Sequence, residues 1–538
     1  MRNAVWGWLL GVVAAPAAVA VGAAAGDSPQ LRIQIVHPPE KMSLPALERT
    51  FVFGSVHPPD ARVTVHGLDS PIVRSSLGGW LAVIPLTAGK MTIVAAARLE
   101  DGTETQVARK VTVNGAPGNA AKPAGNVGDW AVHKPPEERV WKPHRIGRIA
   151  ADTAYLRSGP DRGDEQAGFE LPLQKNVLVT VVGQIDKSLH VRLSALESVW
   201  VEAHTVKLLP KQTPSPQSFV NGWTVRRNTR STLLQTGLEE LLPYRVTVAP
   251  DGRSMSLKIY GGISNTDWLH YASDDPWIRL ARWSQPMEGV YQLDLELRRP
   301  LWGYDVRYEG LRLILELRDP PASPPPERPT SMSDGGRGRR TSVPPPAPPP
   351  PNYLAGVRVC LDPGHPPLGA TGPMGTTEHA ANWRMAVSLR DVLVSNGADV
   401  VMTRQDGETL ALPDRVLRAR QASADLFVSI HANALPPADN PFEKNGFSVY
   451  YFQPFSQPLA EAVHAAMRAS IPLRDDGLHY ANFHVTRQSY MPAILIECAY
   501  LMWPPEEALI LDPDFRDRAA WAIADGIKTF LSERDEEE

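Results

Sequence analysis

The sequence predicts a multidomain protein in which several all-β modules precede a C-terminal α/β domain with a mostly parallel sheet flanked by helices. From residue 31 to residue 319, short runs of alternating apolar and polar residues recur with turn residues between them, which is typical of antiparallel β structure. After residue 353, apolar strand-like runs alternate with helix-like runs, a pattern that indicates a mostly parallel sheet covered on both sides. A chain of 538 residues also exceeds what one hydrophobic core supports.

The composition excludes some classes of protein. The formal net charge of −4 argues against a nucleic-acid partner, and the hydrophobic fraction of 43% is ordinary for a globular protein. There are two cysteines, Cys360 and Cys498, so we expect neither a disulfide framework nor a zinc module built from cysteines. We expect both thiols to be buried as small apolar groups, while a disulfide between them stays open because it depends on geometry.

The first 25 residues are typical of a signal peptide. Arg2 supplies a short positive region, and an apolar, alanine-rich run from Val5 to Ala25 follows. Small residues at 23–25 fit a signal-peptidase site, which predicts export to the periplasm or the cell exterior. An uncleaved membrane anchor is the weaker alternative, because alanine and glycine are only weakly hydrophobic and Pro16 interrupts the run.

Residues 26–114 are predicted to form a β-sandwich. Seven or so short strands, with turns every 8–12 residues, indicate two packed sheets, and the pattern resembles immunoglobulin-like modules of bacterial surface proteins. Residues 115–144, rich in Gly, Ala, Asn, Pro and Lys, are expected to be a linker. Residues 145–210 look like a bacterial SH3-like β module, for which peptide docking and a role as a spacer are both open.

Residues 219–319 are predicted to form a third β-rich domain, because two of its strands alternate strictly between apolar and polar residues. It contains four of the tryptophans, Trp268, Trp277, Trp283 and Trp302. A role in the core is favoured for most of them, and stacking on sugar rings is the alternative.

Residues 320–352 are predicted to be a proline-rich linker. They contain 13 prolines, and an extended polyproline segment of this length would reach up to roughly 100 Å. A C-terminal domain on such a tether would sample a surface while the β modules stay anchored.

Residues 353–533 carry the α/β pattern. Helices are predicted at 381–394, 412–421, 459–469 and 515–531, and strands at 357–361, 399–403, 425–430, 447–451 and 493–496. Ligands of open α/β sheets bind outside the carboxyl ends of the strands. Functional side chains are therefore expected at the ends of these strands or in the adjoining loops.

Four polar residues are expected at that edge of the sheet: His365, Glu378, His431 and Glu497. Two histidines and one carboxylate are a usual catalytic zinc set, and hydrolysis needs a further carboxylate as general base. Each residue alone also has a structural explanation, such as a favourable charge of Glu378 near a helix N-terminus. Glu497 follows an apolar strand, where an unpaired carboxylate is costly, so a catalytic or metal role explains its position better.

Four motifs in this order resemble the zinc-dependent N-acetylmuramoyl-L-alanine amidases of bacterial cell-wall metabolism. They are LDPGH, GATGPMGTTEHAANW, ADLFVSIHAN and MPAILIE, and the resemblance covers nearly all of residues 355–533. It implies one Zn²⁺ held by His365, Glu378 and His431, with Glu497 as the general base for the attacking water. The bond cut would join N-acetylmuramic acid to the L-alanine of the stem peptide.

The resemblance implies peptidoglycan as the partner, action in the periplasm or the extracellular cell wall, and other envelope proteins as partners of the β modules. The third β domain is similar to localisation domains that precede the catalytic domain in some of these amidases. Two alternatives stay open, a non-catalytic wall-binding protein with an amidase-like domain and a zinc amide hydrolase with another substrate. Pro366-Pro367 and the residues after Glu497 depart from the family pattern, which puts the substrate preference in doubt more than zinc binding.

Overall fold

The computed structural model describes residues 30–66, 71–114, 137–161, 168–322, 352–367 and 369–536. The predicted signal peptide lies outside these residues, as do most residues of the two predicted linkers. None of the helices within the described ranges combines the length and the apolar composition needed to cross a bilayer.

The first β unit, residues 30–114, consists of two four-stranded sheets around one buried core, in the orders β1-β3-β6-β5 and β2-β8-β7-β4. The pattern of alternate buried residues is clear in the seventh strand, where Ile93, Ala95 and Ala97 point into the core. The strands are β1 (Arg32–His37), β2 (Ser43–Leu44), β3 (Arg49–His57), β4 (Arg62–Val65), β5 (Val73–Arg74), β6 (Gly79–Pro85), β7 (Gly89–Arg98) and β8 (Glu104–Val113).

The second β unit, residues 137–209, is one antiparallel seven-stranded sheet in the order β11-β10-β14-β13-β12-β9-β15. Its strands are β9 (Arg139–Ile149), β10 (Thr153–Arg157), β11 (Phe169–Gln174), β12 (Leu178–Ile185), β13 (Ser188–Arg192), β14 (Ser198–Glu202) and β15 (Val206–Leu208). The predicted linker 115–144 ends too late, because β9 already begins at Arg139. The first part of β9 pairs with β12, but its polar residues break the alternation that would predict a strand. The immunoglobulin-like and SH3-like assignments of the first two units stay predictions.

The third β unit, residues 218–319, has two sheets, β20-β16-β17-β24-β23 and β18-β19-β22-β21. Trp277 and Trp302 are fully buried in its core, as favoured from the sequence, whereas the ring of Trp268 is exposed. The strands are β16 (Ser218–Asn228), β17 (Ser231–Gly237), β18 (Tyr244–Val248), β19 (Ser254–Tyr260), β20 (Gly262–His270), β21 (Ile278–Met287), β22 (Val290–Leu297), β23 (Tyr304–Glu309) and β24 (Arg312–Arg318).

The C-terminal region, residues 352–536, is a six-stranded sheet with helices, in the order β26-β25-β27-β30-β28-β29. Its strands are β25 (Arg358–Pro363), β26 (Asp399–Met402), β27 (Leu426–Asn433), β28 (Phe447–Tyr451), β29 (Asp475–Tyr480) and β30 (Ala493–Tyr500). Its helices are α1 (Glu378–Ser395), α2 (Leu412–Gln421), α3 (Gln457–Ser470), α4 (Pro504–Leu511) and α5 (Pro513–Glu536).

The predicted mostly parallel sheet is confirmed, because four of its five neighbouring strand pairs are parallel and one, β28 with β30, is antiparallel. All four predicted helices are present, and the structure adds β29 and α4, which were not predicted. Because β25, β27 and β30 run parallel, their carboxyl ends lie side by side at one edge of the sheet.

The third β unit and the C-terminal region share one hydrophobic core. The ring of Trp302 lies 5.4 Å from that of Phe530, and its Nε1 donates to the carbonyl oxygen of Asp425. The ring of Tyr490 is covered by the guanidinium of Arg318, whose Cζ is 3.7 Å from the ring centroid. A shared core of this kind joins the two parts into one packed body.

The other two β units also contact the C-terminal region. Phe53 of the first unit packs in a cluster with Met502. In the second unit, Phe169 accepts a hydrogen bond at its carbonyl oxygen from Asn482, and the guanidinium of Arg487 lies over its ring at 3.6 Å. The expectation that the C-terminal domain samples a surface while the β modules stay anchored was therefore wrong, because this domain packs against them. Composition predicts a linker, but it carries no information on how the domains on either side of that linker pack.

One of these contacts predicts acid sensitivity. The ring of His484 lies against that of Tyr155, and burial, with the charge of Arg487, lowers the pKa of His484 to about 4. An unfolded histidine titrates near pH 6.5, so unfolding takes up a proton between pH 6.5 and 4. The free energy of unfolding is therefore highest above pH 6.5. It falls by on the order of 2–3 kcal/mol as the pH drops through this window.

Calorimetric unfolding of the full chain between pH 7 and pH 4 measures this loss. His484→Gln is expected to reduce the acid-induced fall in Tm, whereas the same change at the exposed His204 should leave the fall unchanged. Equal acid sensitivity in both variants and the natural chain would contradict the assignment.

Candidate metal centre

The loop that carries His365 leaves the sheet directly after β25. Arg415 holds this turn, because its guanidinium donates to the carbonyl oxygens of Pro363 at 2.9 Å, His365 at 3.1 Å and Pro366 at 3.2 Å. His365 has a φ of 55°, in the left-handed region that costs a non-glycine residue free energy. The three hydrogen bonds from one buried side chain offset that cost.

Asp362 fixes Arg415 in turn. Its Oδ1 accepts hydrogen bonds from Arg415 Nη1 at 2.7 Å and from Thr403 Oγ1 at 2.6 Å, and its Oδ2 accepts one from Ser429 Oγ at 2.8 Å. Asp362 and Arg415 are both almost fully buried. Every bond joins a different element to the end of β25, so this network sets the position of the turn.

His431 and Glu497 lie opposite each other on the parallel strands β27 and β30. Residues paired in this way point to the same face of the sheet. The sequence placed both residues just past strand ends, but the two strands continue through them to Asn433 and Tyr500. The strands were predicted to end earlier because a polar residue at each of these positions interrupts the apolar run. Gly364 is required here, because a Cβ on it would lie 2.2 Å from the imidazole Cε1 of His431.

Glu378 is the first residue of α1, and it brings three side chains together. Its Oε1 lies 3.2 Å from His365 Nε2 and 3.2 Å from His431 Nδ1. Its Oε2 accepts a hydrogen bond from the backbone N–H of Ala370 at 2.8 Å. Potential ligand atoms of Glu378 and the two histidines all lie within 4.8 Å of one another.

This geometry fits a tetrahedral zinc ion. Donor atoms about 2.0–2.1 Å from zinc are separated from one another by about 3.4 Å, close to the two 3.2 Å separations. The Nδ1 of His365 lies 3.1 Å from the carbonyl oxygen of Pro367, to which it can donate, so its Nε2 is left as the ligand atom. Two nitrogen donors and one carboxylate leave a fourth position open.

The pKa shifts show how strongly these groups interact. Burial alone would raise the pKa of Glu378, but hydrogen bonds from His365 and His431 and their charges bring it well below its usual value. Burial acts to lower the pKa of His365, but the hydrogen bond and charge of Glu378 raise it above its ordinary value. The carboxylate is thus held in its charged form between two imidazoles, as a metal ligand must be.

Glu497 has a different environment. Burial, with the nearby charge of Glu378, raises its pKa well above the usual value. Its Oε2 is buried and has no hydrogen-bond partner among the described residues. A buried carboxylate oxygen without a hydrogen-bond partner, beside a cluster of potential metal ligands, is suited to take up a proton from a bound molecule.

Sequence reasoning missed the residues behind the candidate ligands. Arg415 lies on the buried face of α2 with Ala419, and a charged residue on the apolar side of a predicted helix is the signal that could have revealed it. Arg404 is also fully buried and donates to the carbonyl oxygens of Pro363, Gly364 and His379. The two cysteines, Cys360 and Cys498, are buried as expected from the sequence. They do not form a disulfide with each other, and burial raises the pKa of each thiol.

Comparison with known proteins now identifies this region. Residues 359–529 match the family model described as N-acetylmuramoyl-L-alanine amidase. The C-terminal region carries a domain of this family. In the amidase domain, all four candidate residues lie inside the matched range.

Two curated relatives match the amidase domain. The probable cell wall amidase LytH of Staphylococcus epidermidis is 33% identical over 185 residues, which are 34% of this chain and 60% of that protein. The N-acetylmuramoyl-L-alanine amidase LytC of Bacillus subtilis is 33% identical over 185 residues, which are 33% of this chain and 36% of that protein. The chain therefore spans 60% or less of the length of these two relatives.

Among solved structures, the catalytic domain of CwlV, an N-acetylmuramoyl-L-alanine amidase from Bacillus (Paenibacillus) polymyxa, is 38% identical. The match covers 33% of this chain and 98% of that chain, with a TM-score of 0.31.

The buried ion pair of the amidase domain predicts a large cost for Arg415→Met. The change leaves the carboxylate of Asp362 buried without its cation, which is expected to lower the free energy of unfolding by about 3–5 kcal/mol. Arg418→Met on the same helix removes a pair with Glu408 in which the arginine is 41% exposed, and about 1 kcal/mol or less is expected. Denaturant unfolding of the two variants compares these losses, and equal losses would contradict the role of the ion pair.

Proposed function

We propose that the amidase domain is a zinc-dependent peptidoglycan hydrolase that cleaves the amide bond between N-acetylmuramic acid and the L-alanine of the stem peptide. The observation that carries the proposal is the convergence of His365, Glu378 and His431 beside Glu497, whose Oε2 has no hydrogen-bond partner among the described residues, inside a domain of the amidase family. The relatives named as cell wall and N-acetylmuramoyl-L-alanine amidases support the choice of substrate.

His365, Glu378 and His431 are the proposed zinc ligands. Bound zinc supplies a Lewis acid that polarises the scissile carbonyl and makes water a better nucleophile. Glu378 adds a negative charge to the set, and its hydrogen bond from Ala370 keeps Oε2 away from the histidines. The ligand side chains are thereby held in one arrangement before any substrate is present.

Glu497 is the proposed general base. It takes a proton from the attacking water and returns it to the nitrogen of the leaving L-alanine. On β28, Ser448 is paired with Glu497 and Tyr450 lies two residues further along the strand. Burial, then the charge of Glu497, raises the pKa of Tyr450 to about 12. Tyr450 therefore keeps its proton at neutral pH and stays a hydrogen-bond donor toward this face of the sheet.

The chain is proposed to act outside the cytoplasm, in the periplasm or the extracellular cell wall, because its first 25 residues have the pattern of an export signal. The immunoglobulin-like and SH3-like assignments of the first two β units are part of this proposal, as are envelope partners of the β units. The contacts of these units with the amidase domain support a role in holding that domain as well.

Purified full-length protein incubated with peptidoglycan tests the function. Release of intact stem peptides from glycan, identified by mass spectrometry, is the expected result. Glu497→Gln keeps the shape of the side chain but removes its basic oxygen, so the rate is expected to fall by roughly 10²–10⁴-fold. Glu461→Gln, an exposed carboxylate on α3, is the matched control and should leave the rate unchanged.

Removal of zinc by a chelator should abolish the release, and added zinc should restore it. Fragments cut within the peptide would contradict the amidase assignment and favour a zinc amide hydrolase of another substrate. Zinc binding without any cleavage would favour the non-catalytic wall-binding alternative.

A further inference from the structure

Two adjacent carboxylates lie in the first turn of α4 and are buried. Glu506 is 4% exposed and Glu507 is fully buried, and neither makes an ion pair within the described part of the chain. Burial raises the pKa of each to about 7, although hydrogen bonds from backbone N–H groups lower it. A buried carboxylate is costly unless hydrogen bonds satisfy it, so the partners of these two residues indicate their use.

Glu507 bonds the segment 370–377, which leads into Glu378 and is called the ligand loop below. Its Oε2 accepts the backbone N–H of Met374 at 2.8 Å, and its Oε1 accepts that of Thr376 at 3.3 Å. The loop wraps closely around this carboxylate, because a Cβ on Gly372 would lie only 2.4 Å from its Oε1. The backbone N–H of Gly372 donates to the carbonyl oxygen of Thr376, which closes the loop into a compact turn.

The same loop sets which oxygen of Glu378 faces the histidines. Its two ends meet where the N–H of Glu378 donates to the carbonyl oxygen of Ala370 at 2.9 Å. The N–H of Ala370 then donates to Oε2 of Glu378, which leaves Oε1 facing His365 and His431. A shift of the loop would move Ala370 and release the carboxylate of Glu378.

Glu506 has another role, although it lies next to Glu507. Its Oε2 accepts the backbone N–H groups of Gly446 at 3.1 Å and Tyr500 at 2.6 Å, neither of which belongs to the ligand loop. The two residues thus match in type, burial and helix position but bond different segments.

We propose that Glu507 is a positioning residue for the zinc site, which holds the ligand loop, residues 370–377, and through it the orientation of the Glu378 carboxylate. The inference rests on the proposed function, since it concerns the same zinc site. Glutamine at position 507 keeps one acceptor oxygen but turns an NH₂ group toward a backbone N–H, so one of the two bonds is lost.

The test is the zinc affinity of the full chain, measured by competition with a chromophoric chelator. Glu507→Gln is expected to weaken zinc binding by roughly 10–100-fold, the range for outer residues that orient metal ligands. Glu506→Gln is the matched control, and its zinc affinity should stay within about threefold of the natural chain. A purely structural role would lower Tm in both variants and leave the two affinities equal, which would overturn the proposal.

Glu507→Asp covers the case in which Glu507→Gln fails to fold. It keeps the charge but retracts the carboxylate by about 1.5 Å, the length of one carbon–carbon bond, so weaker zinc binding is again expected. Unchanged affinity in this folded variant would overturn the positioning role. If the natural chain itself binds no zinc, the proposed function fails, and this outcome differs from a zinc-binding chain whose affinity is insensitive to Glu507.

Discussion

The charge of Glu378 is the constraint on which the rest of the site depends. A carboxylate at 6% exposure keeps its charge only when donors or cations surround it. Here a ring nitrogen of His365 and one of His431 each lie 3.2 Å from the same oxygen, where a proton or a metal cation can stand between them, and the N–H of Ala370 donates to the other oxygen. The arrangement requires a strand end, a closed loop, a helix start and a second strand to meet at one point.

Buried polar groups rather than apolar packing fix that meeting point. Asp362 and Arg415 hold the turn after β25, and Arg404 adds three more hydrogen bonds to the surrounding carbonyl oxygens. Glu507 holds the following loop from the opposite side. A buried ion pair such as Arg415–Asp362 adds little stability compared with a pair of apolar residues in the same place, although removing one partner alone is costly. We therefore infer that this pair serves to position the turn.

The β units extend this frame beyond the amidase domain. The backbone of Gly79 in the first unit lies against Pro373 of the ligand loop and Pro504 of α4, because a Cβ there would be 3.4 and 3.3 Å from their Cβ atoms. The second unit contacts the segment between β29 and β30 through Phe169. The loop that leads to Glu378 and the segment that leads into the start of β30 therefore both contact domains that the chain carries in addition to the family match.

The sequence predicts much of the fold and names the four residues at the candidate site. Apolar periodicity reveals β25, β27, β30 and the four long helices, because burial on one or both faces dictates it. The structure gathers His365, Glu378 and His431, while their roles stay predictions. Periodicity could not reveal α4 or the docking of the β units. Both depend on contacts between distant segments, such as that of Trp302 with Phe530.

Anomalous X-ray diffraction at the zinc absorption edge, from crystals of the full chain grown with zinc, tests the central claim most directly. The account predicts one strong zinc peak per chain, coordinated by His365, Glu378 and His431, with Glu497 near the ion but not bound to it. A peak coordinated by Glu497, or no zinc peak between the two histidines, would contradict it.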